Sequence, residues 1–216
     1  SGDNIISVSS LYGGTYNLFN ITLRSFGIET KFVSNNDDKE YILSLVDENT
    51  KAIYGETIGN PGLDILDFKK LSEIAKKEDI PFIVDNTVAS PYLCNPINFG
   101  ANIVIHSTSK YIDGHAVALG GIVIDCGNFN WDNGKYPLLS DGDVSCHDIK
   151  YVEEFRKSAY ITKLRASLLR DLGSTMSPFN AFLSNLGLET LHLRMKKHSQ
   201  NALVLAKYLE NHEKVS

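Results

Sequence analysis

Short apolar runs recur along the chain, and stretches with helical spacing of apolar positions lie between them. The runs are Ile5-Ile6-Ser7-Val8, Thr30-Lys31-Phe32-Val33, Ala52-Ile53-Tyr54-Gly55-Glu56, Pro81-Phe82-Ile83-Val84, Asn102-Ile103-Val104-Ile105 and Gly121-Ile122-Val123-Ile124. Their length and their richness in Val, Ile and Phe predict buried strands. Between them, residues 12–26 carry Tyr, Leu, Phe and Ile at helical spacing, and residues 39–48 form a short amphipathic stretch. Residues 67–79 place Phe68, Leu71, Ile74 and Ala75 on one stripe, as a helix packed on a sheet requires. Strands alternating with helices predict an α/β fold, a mostly parallel sheet with helices on both faces.

The pattern changes after residue 126. Residues 127–143 are rich in Gly, Asn, Asp and Pro and predict an irregular excursion. Helices are then expected over 147–172, 178–187 and 189–212. Ser177-Pro178 reads as a helix start, with Pro at the first helical position. No internal repeat or heptad pattern is visible.

A chain of 216 residues holds one large domain or one and a half. The formal net charge of −5 argues against nucleic acid and anionic membrane as partners, since both favour a basic surface. The three cysteines, Cys94, Cys126 and Cys146, lack CxxC spacing. They read as buried bystanders in a reducing compartment. No apolar run reaches a membrane span, and no secretory leader is visible. The sequence opens at Ser1-Gly2-Asp3 without Met and stops at Val215-Ser216 behind a helical pattern. It is therefore read as a piece of a longer protein.

In an open parallel sheet, ligands bind beyond the carboxyl ends of the strands. The residues following the strands are Ser9-Ser10-Leu11-Tyr12-Gly13-Gly14-Thr15, Glu56-Thr57-Ile58-Gly59-Asn60-Pro61, Asp85-Asn86-Thr87 and His106-Ser107-Thr108-Ser109-Lys110. Asp85 ends an apolar strand, where a bare carboxylate is costly to desolvate. It is either a cap or turn residue or the partner of a buried cation. Lys110 follows three small hydroxyl residues. Ser107, Thr108 and Ser109, with their backbone N–H groups, would make an anion cradle, and Lys110 could serve a phosphate or form a Schiff base. Tyr12 precedes two glycines at a helix start. It is either a core aromatic or a flat face for a planar ligand, with the glycines allowing close approach. Neither a Walker loop nor a G-x-G-x-x-G turn is present, which disfavours a nucleotide-binding domain. His106 and His115 lack acidic or Cys partners at metal-site spacing, and G-x-S-x-G is absent. Arg194-Met195-Lys196-Lys197-His198 reads as one solvated helix face.

Four ordered motifs resemble a known family. Ser10-Leu11-Tyr12-Gly13-Gly14-Thr15, Asn60-Pro61, Val84-Asp85-Asn86-Thr87 and His106 to His115 are similar to the Cys/Met-metabolism family of pyridoxal-phosphate enzymes, over essentially the whole chain. Leu168 to Gly173, Met176 to Leu183, and Gly187-Leu188-Glu189-Thr190-Leu191 look like its O-acetylhomoserine sulfhydrylase branch. The resemblance implies the large domain of fold type I pyridoxal-phosphate transferases, with residues 1–212 as the central part of that domain. The family's N-terminal segment, with its phosphate loop, and its C-terminal domain would then lie outside this sequence. It implies that Lys110 carries the cofactor as a Schiff base and acts as catalytic base, and that Asp85 keeps the pyridine nitrogen protonated. It further implies that Tyr12 stacks on the ring and assists proton chemistry, that Ser107 and Ser109 hold the phosphate, and that Asn60 sits near the ring hydroxyl. Ala116 departs from the pattern, since the family often has Gly there.

The expected activity is γ-replacement on O-acetyl-L-homoserine with sulfide or a thiol, by a cytoplasmic homo-oligomer, a tetramer in the family. The rival activities are those of methionine γ-lyase and the cystathionine γ-synthases and lyases. The rival of another class is a non-catalytic fragment.

Overall fold

The computed structural model describes residues 2–215; Ser1 and Ser216, the ends read in the sequence, lie outside the described residues. Six strands form one sheet: β1 (Asn4–Val8), β2 (Glu29–Val33), β3 (Thr50–Glu56), β4 (Phe82–Asp85), β5 (Ile103–Ser107) and β6 (Gly121–Asp125). Their order is β2-β1-β3-β4-β5-β6. The strands from β1 to β5 pair in parallel, and β6 runs antiparallel to β5. All six predicted runs became strands. The reversal at β6 has a simple cause: only a helical turn and a loop separate it from β5, with no crossover helix to return the chain in the parallel sense.

The period-two alternation of the strands divides the core. Phe82, Val84 and Val104 pack with Leu71, Ile74 and Ala75 of the helix Phe68–Lys77. Ile103 packs from the other face, with Ile83, Ile105 and Val123, against Trp131, Leu139, Tyr151 and Ala159 of the excursion. Helices thus start where the sequence supplies caps. The Asp67 carboxylate accepts from the Lys70 N–H at 3.0 Å, and Asp38 accepts from Tyr41 at 2.7 Å to open the helix Lys39–Ser44. Each such cap contributes about 1 kcal/mol.

The helix expected over 12–26 is present as one continuous helix over residues 13–25, passing through a π turn at Leu18–Thr22. Two helical expectations change. The stretch expected as helix over 147–172 is broken into short pieces, among them Tyr151–Phe155 and Ala159–Lys163, with Arg156 at a left-handed φ of 47° between them. The two helices expected over 178–187 and 189–212 are one helix, Pro178–Glu210, opened by the Ser177 hydroxyl accepting from the Asn180 N–H at 3.1 Å. Gly187 does not break it. A methyl there would overlap the carbonyl oxygens of Ile112 and Asp113, so glycine is present for close approach and not as a stop.

The chain steps from β1 to β2 on one side and to β3 on the other. The crevice of such a switch opens beyond the carboxyl ends of β1 and β3.

Candidate active site

A cleft of about 800 Å³ lies at that edge, within the range of small-molecule sites. Tyr12, Asn60, Asp85, Ser107, Ser109 and Lys110 all line it. The structure therefore brings every sequence-derived site residue to one place.

They arrive from several elements, with Ser109 and Lys110 sharing the turn Thr108–Ile112. Tyr12 stands at the start of the helix after β1, with its ring 53 % exposed. A methyl on Gly14 would lie 2.7 Å from that ring, so glycine lets the ring lie flat along its own helix. Asp85 is the last residue of β4. One of its oxygens accepts from the Thr87 N–H at 2.8 Å, and the other faces the Tyr54 hydroxyl at 3.5 Å. Burial, with the Asp85 charge next, pushes the Tyr54 phenol well above its usual range. Lys110 sits in the helical turn Thr108–Ile112 and interrupts it with φ −98° and ψ −118°. Its Nζ is 5.8 Å from the centre of the Tyr12 ring. Asn60 is exposed on the loop after β3, joined to Pro61 by a cis peptide bond.

The anion cradle is smaller than the sequence suggested. The Ser107 N–H donates to the Thr87 hydroxyl at 2.8 Å, and the Thr108 N–H donates to the Gly120 carbonyl at 3.0 Å. These two backbone donors are occupied within the chain, and the Thr108 side chain is buried outside the cleft lining. The hydroxyls of Ser107 and Ser109 remain on the cleft wall. That of Ser109 accepts from the Gly120 N–H at 2.9 Å and donates to the Gly120 carbonyl at 3.2 Å, which fixes its place on the wall and leaves it one further lone pair.

Sequence reading missed two groups. Glu56 ends β3 directly beside Asp85 in the sheet register. It is 6 % exposed and accepts the Tyr12 N–H at 2.9 Å. Burial pushes its carboxyl up to about 7; the Tyr12 N–H opposes that rise and the Asp85 charge adds to it. The clue was available, because Glu56, like Asp85, is a carboxylate closing an apolar strand. Arg194 is the second. The segment 194–198 is not one solvated face: Met195 is buried, while Arg194 and His198 line the cleft. The cysteines are half-buried free thiols, and burial pushes the Cys126 thiol up to about 11. His106 is buried on β5 and outside the cleft.

The chemistry of these groups selects what the cleft can hold. An amine condenses with an aldehyde, a carboxylate pairs with a ring cation, an aromatic face takes a planar ring, and small hydroxyls bind phosphate. Pyridoxal phosphate carries all four features, and the residues present fit it. Fold and cleft together define an α/β enzyme domain of the pyridoxal-phosphate class. The chain belongs to the Cys/Met metabolism PLP-dependent enzyme family, whose model matches residues 1–216.

Among its relatives, it is 47 % identical over 219 residues to homocysteine synthase of Schizosaccharomyces pombe, covering 100 % of this chain and 51 % of that protein. It is 46 % identical over 223 residues to O-acetyl-L-homoserine sulfhydrylase of Leptospira meyeri, covering 100 % of this chain and 50 % of that protein. A crystal structure of an assigned O-acetylhomoserine (thiol)-lyase from Campylobacter jejuni, containing N'-pyridoxyl-lysine-5'-monophosphate, superposes with a TM-score of 0.95 at 39 % identity. That match covers 100 % of this chain and 53 % of the other. The chain spans about half the length of the curated relatives it matches.

Proposed function

We propose that the whole protein is an O-acetyl-L-homoserine sulfhydrylase, replacing the γ-acetate of that amino acid with sulfide or a thiol to give homocysteine or methionine. The observation that carries this reading is the meeting of Lys110, Asp85 and Tyr12 in one cleft. The O-acetyl-L-homoserine sulfhydrylase at 46 % identity supports the substrate, and the homocysteine synthase at 47 % supports the product.

Pyridoxal phosphate, when bound, supplies an electron sink beside the amino acid's α-carbon. Lys110 would hold the cofactor through its aldehyde, and its Nζ as a free amine would move the substrate's α-proton as general base. Asp85 would keep a proton on the ring nitrogen. The Thr87 N–H and the Tyr54 hydroxyl hold that carboxylate in place. Tyr12 would cover one ring face, exclude water there and assist proton movement at the leaving group. Its backbone is anchored by Glu56. Ser107 and Ser109 would bind the phosphate, and Asn60 would bond the ring hydroxyl.

The same reading makes residues 1–212 the central part of the cofactor-binding domain of a cytoplasmic homo-oligomer. Leu63 in the cleft wall and Val117 and Leu119 on the loop after Lys110 are 60–80 % exposed, as surfaces awaiting a second copy would be. No helix among the described residues is long and apolar enough to cross a membrane.

The test is product analysis on the whole protein given O-acetyl-L-homoserine and sulfide. Homocysteine and acetate in equal amounts are expected. Ammonia and a 2-oxo acid would assign a lyase instead.

A further inference from the structure

We propose that Arg194 is a positioning residue for Lys110. This inference rests on the reading of Lys110 as the aldehyde-bearing lysine.

Arg194 projects from the long helix toward the turn that carries Lys110. Its Nη1 donates to the Tyr111 carbonyl at 2.7 Å. Its Nη2 donates to the Gly187 carbonyl at 2.7 Å and reaches the Ile112 carbonyl at 3.4 Å. Its Nε donates to the Thr190 hydroxyl at 3.0 Å, which fixes the plane of the fork. One guanidinium therefore bridges the two residues after Lys110 to the body of the helix. An ammonium, as a point charge, cannot span that set.

The surroundings are shaped for it. Gly114 has φ +73°, and a methyl there would overlap the guanidinium. Gly187 brings the helix backbone against the carbonyls of Ile112 and Asp113. The His198 ring stands 5.5 Å from that of Tyr111, adding a second contact from the same helix.

Lys110 is thereby held from both sides. Upstream, Ser107 and Thr108 are tied to Thr87 and Gly120 within the sheet region. Downstream, Arg194 ties Tyr111 and Ile112 to the helix. The intervening residue departs from helical dihedrals, so these anchors, with the Gly114 N–H donating to the Lys110 carbonyl at 2.8 Å, set where Nζ emerges. Small misplacements of a reacting group are expensive in rate and affinity.

The experiment uses the whole protein and pyridoxal phosphate as probe. Binding is read below the unfolding transition by visible absorbance and visible circular dichroism, then by borohydride trapping and mapping of the labelled lysine. Arg194→Met should fold, bind the probe about tenfold more weakly, since charged hydrogen bonds are lost, and change the visible dichroism. Arg194→Lys should fall between parent and Arg194→Met, and millimolar guanidinium should partly rescue Arg194→Ala. Equal affinity and an unchanged visible dichroism in Arg194→Met, with Lys110 labelled in the parent, would overturn the positioning role and leave the proposed function standing. A parent labelled elsewhere than Lys110 would overturn both. If Arg194→Met does not fold, Thr190→Val decides: a loss of about threefold is expected from one orienting hydrogen bond, and no change overturns the proposal.

Discussion

Two lysines stand in opposite circumstances. Lys163, in the excursion after the sheet, donates to Asp143 at 2.5 Å and lies 5.1 Å from the Tyr151 ring. Asp143 also accepts from the Tyr151 hydroxyl at 3.0 Å and the Ser145 hydroxyl at 2.7 Å. The Lys163 ammonium, with the Ser145 hydroxyl next, holds the Asp143 carboxyl well below the usual carboxylate range. Lys110 at the sheet edge has no ion pair among the described residues, and its Nζ stands 5.8 Å from the centre of the Tyr12 ring. In the excursion, polar groups turn on one another and close an irregular segment over the Trp131–Tyr160 stack. At the sheet edge, Asp85 and Ser109 are fixed by the Thr87 and Gly120 backbones, and they still line the cleft beside Lys110. The lesson is that polar groups paired with one another mark a structural cluster, and a restrained amine left without an ion pair on a cleft wall marks a reactive one.

The contrast can be broken by exchange of roles. Lys110→Ala should abolish capture of pyridoxal phosphate, with no loss of Tm. Lys163→Met should do the reverse, lowering Tm by about 2–4 °C, as loss of a half-buried, multiply bonded pair does in chains of this size, with capture intact. Because the Asp143 carboxyl is depressed, its contribution is present above its unfolded value of 3.8 and is lost as pH falls through that region. Acid titration of the parent and Lys163→Met, followed by near-ultraviolet dichroism, checks this.

Glu56 sharpens the comparison, since it is a buried carboxyl without a cation. Its folded value near 7 lies above its ordinary 4.5. The folded state then holds more protons than the unfolded one between these values, so stability falls as pH rises across that window. Urea midpoints should show the parent losing about 1–2 kcal/mol between pH 4.5 and 7, and Glu56→Gln losing less. The smallest effect concerns Ala116, at φ 57° in the cleft wall. Ala116→Gly should raise stability by about 0.5–1 kcal/mol in the same assay, because only glycine adopts that conformation freely.

Much of this was legible in the chain. The β-branched runs marked all six strands, and the residues behind them named the cleft. Asp85 was visible because a carboxylate at the end of an apolar strand needs a reason. What stayed hidden depends on contacts far apart in sequence. Arg194 looked solvated because a helix wheel cannot show that the carbonyls of Tyr111 and Ile112 wait opposite it. The long helix looked like two, the first ending at 187, because the role of Gly187 is set by the carbonyls of Ile112 and Asp113. The direction of β6 follows from a missing crossover, which is read only once the Lys110 turn is seen to be short. The backbone cradle at Ser107 and Thr108 failed because Thr87 and Gly120 take those donors.

The central claim is that Lys110 is the amine held ready for an aldehyde. Its most direct test is borohydride reduction of the whole protein with pyridoxal phosphate, followed by mass mapping of every lysine. The account predicts a single pyridoxyl group on Lys110 and none on Lys163. A label shared among surface lysines, with Lys110 unmodified, would contradict it.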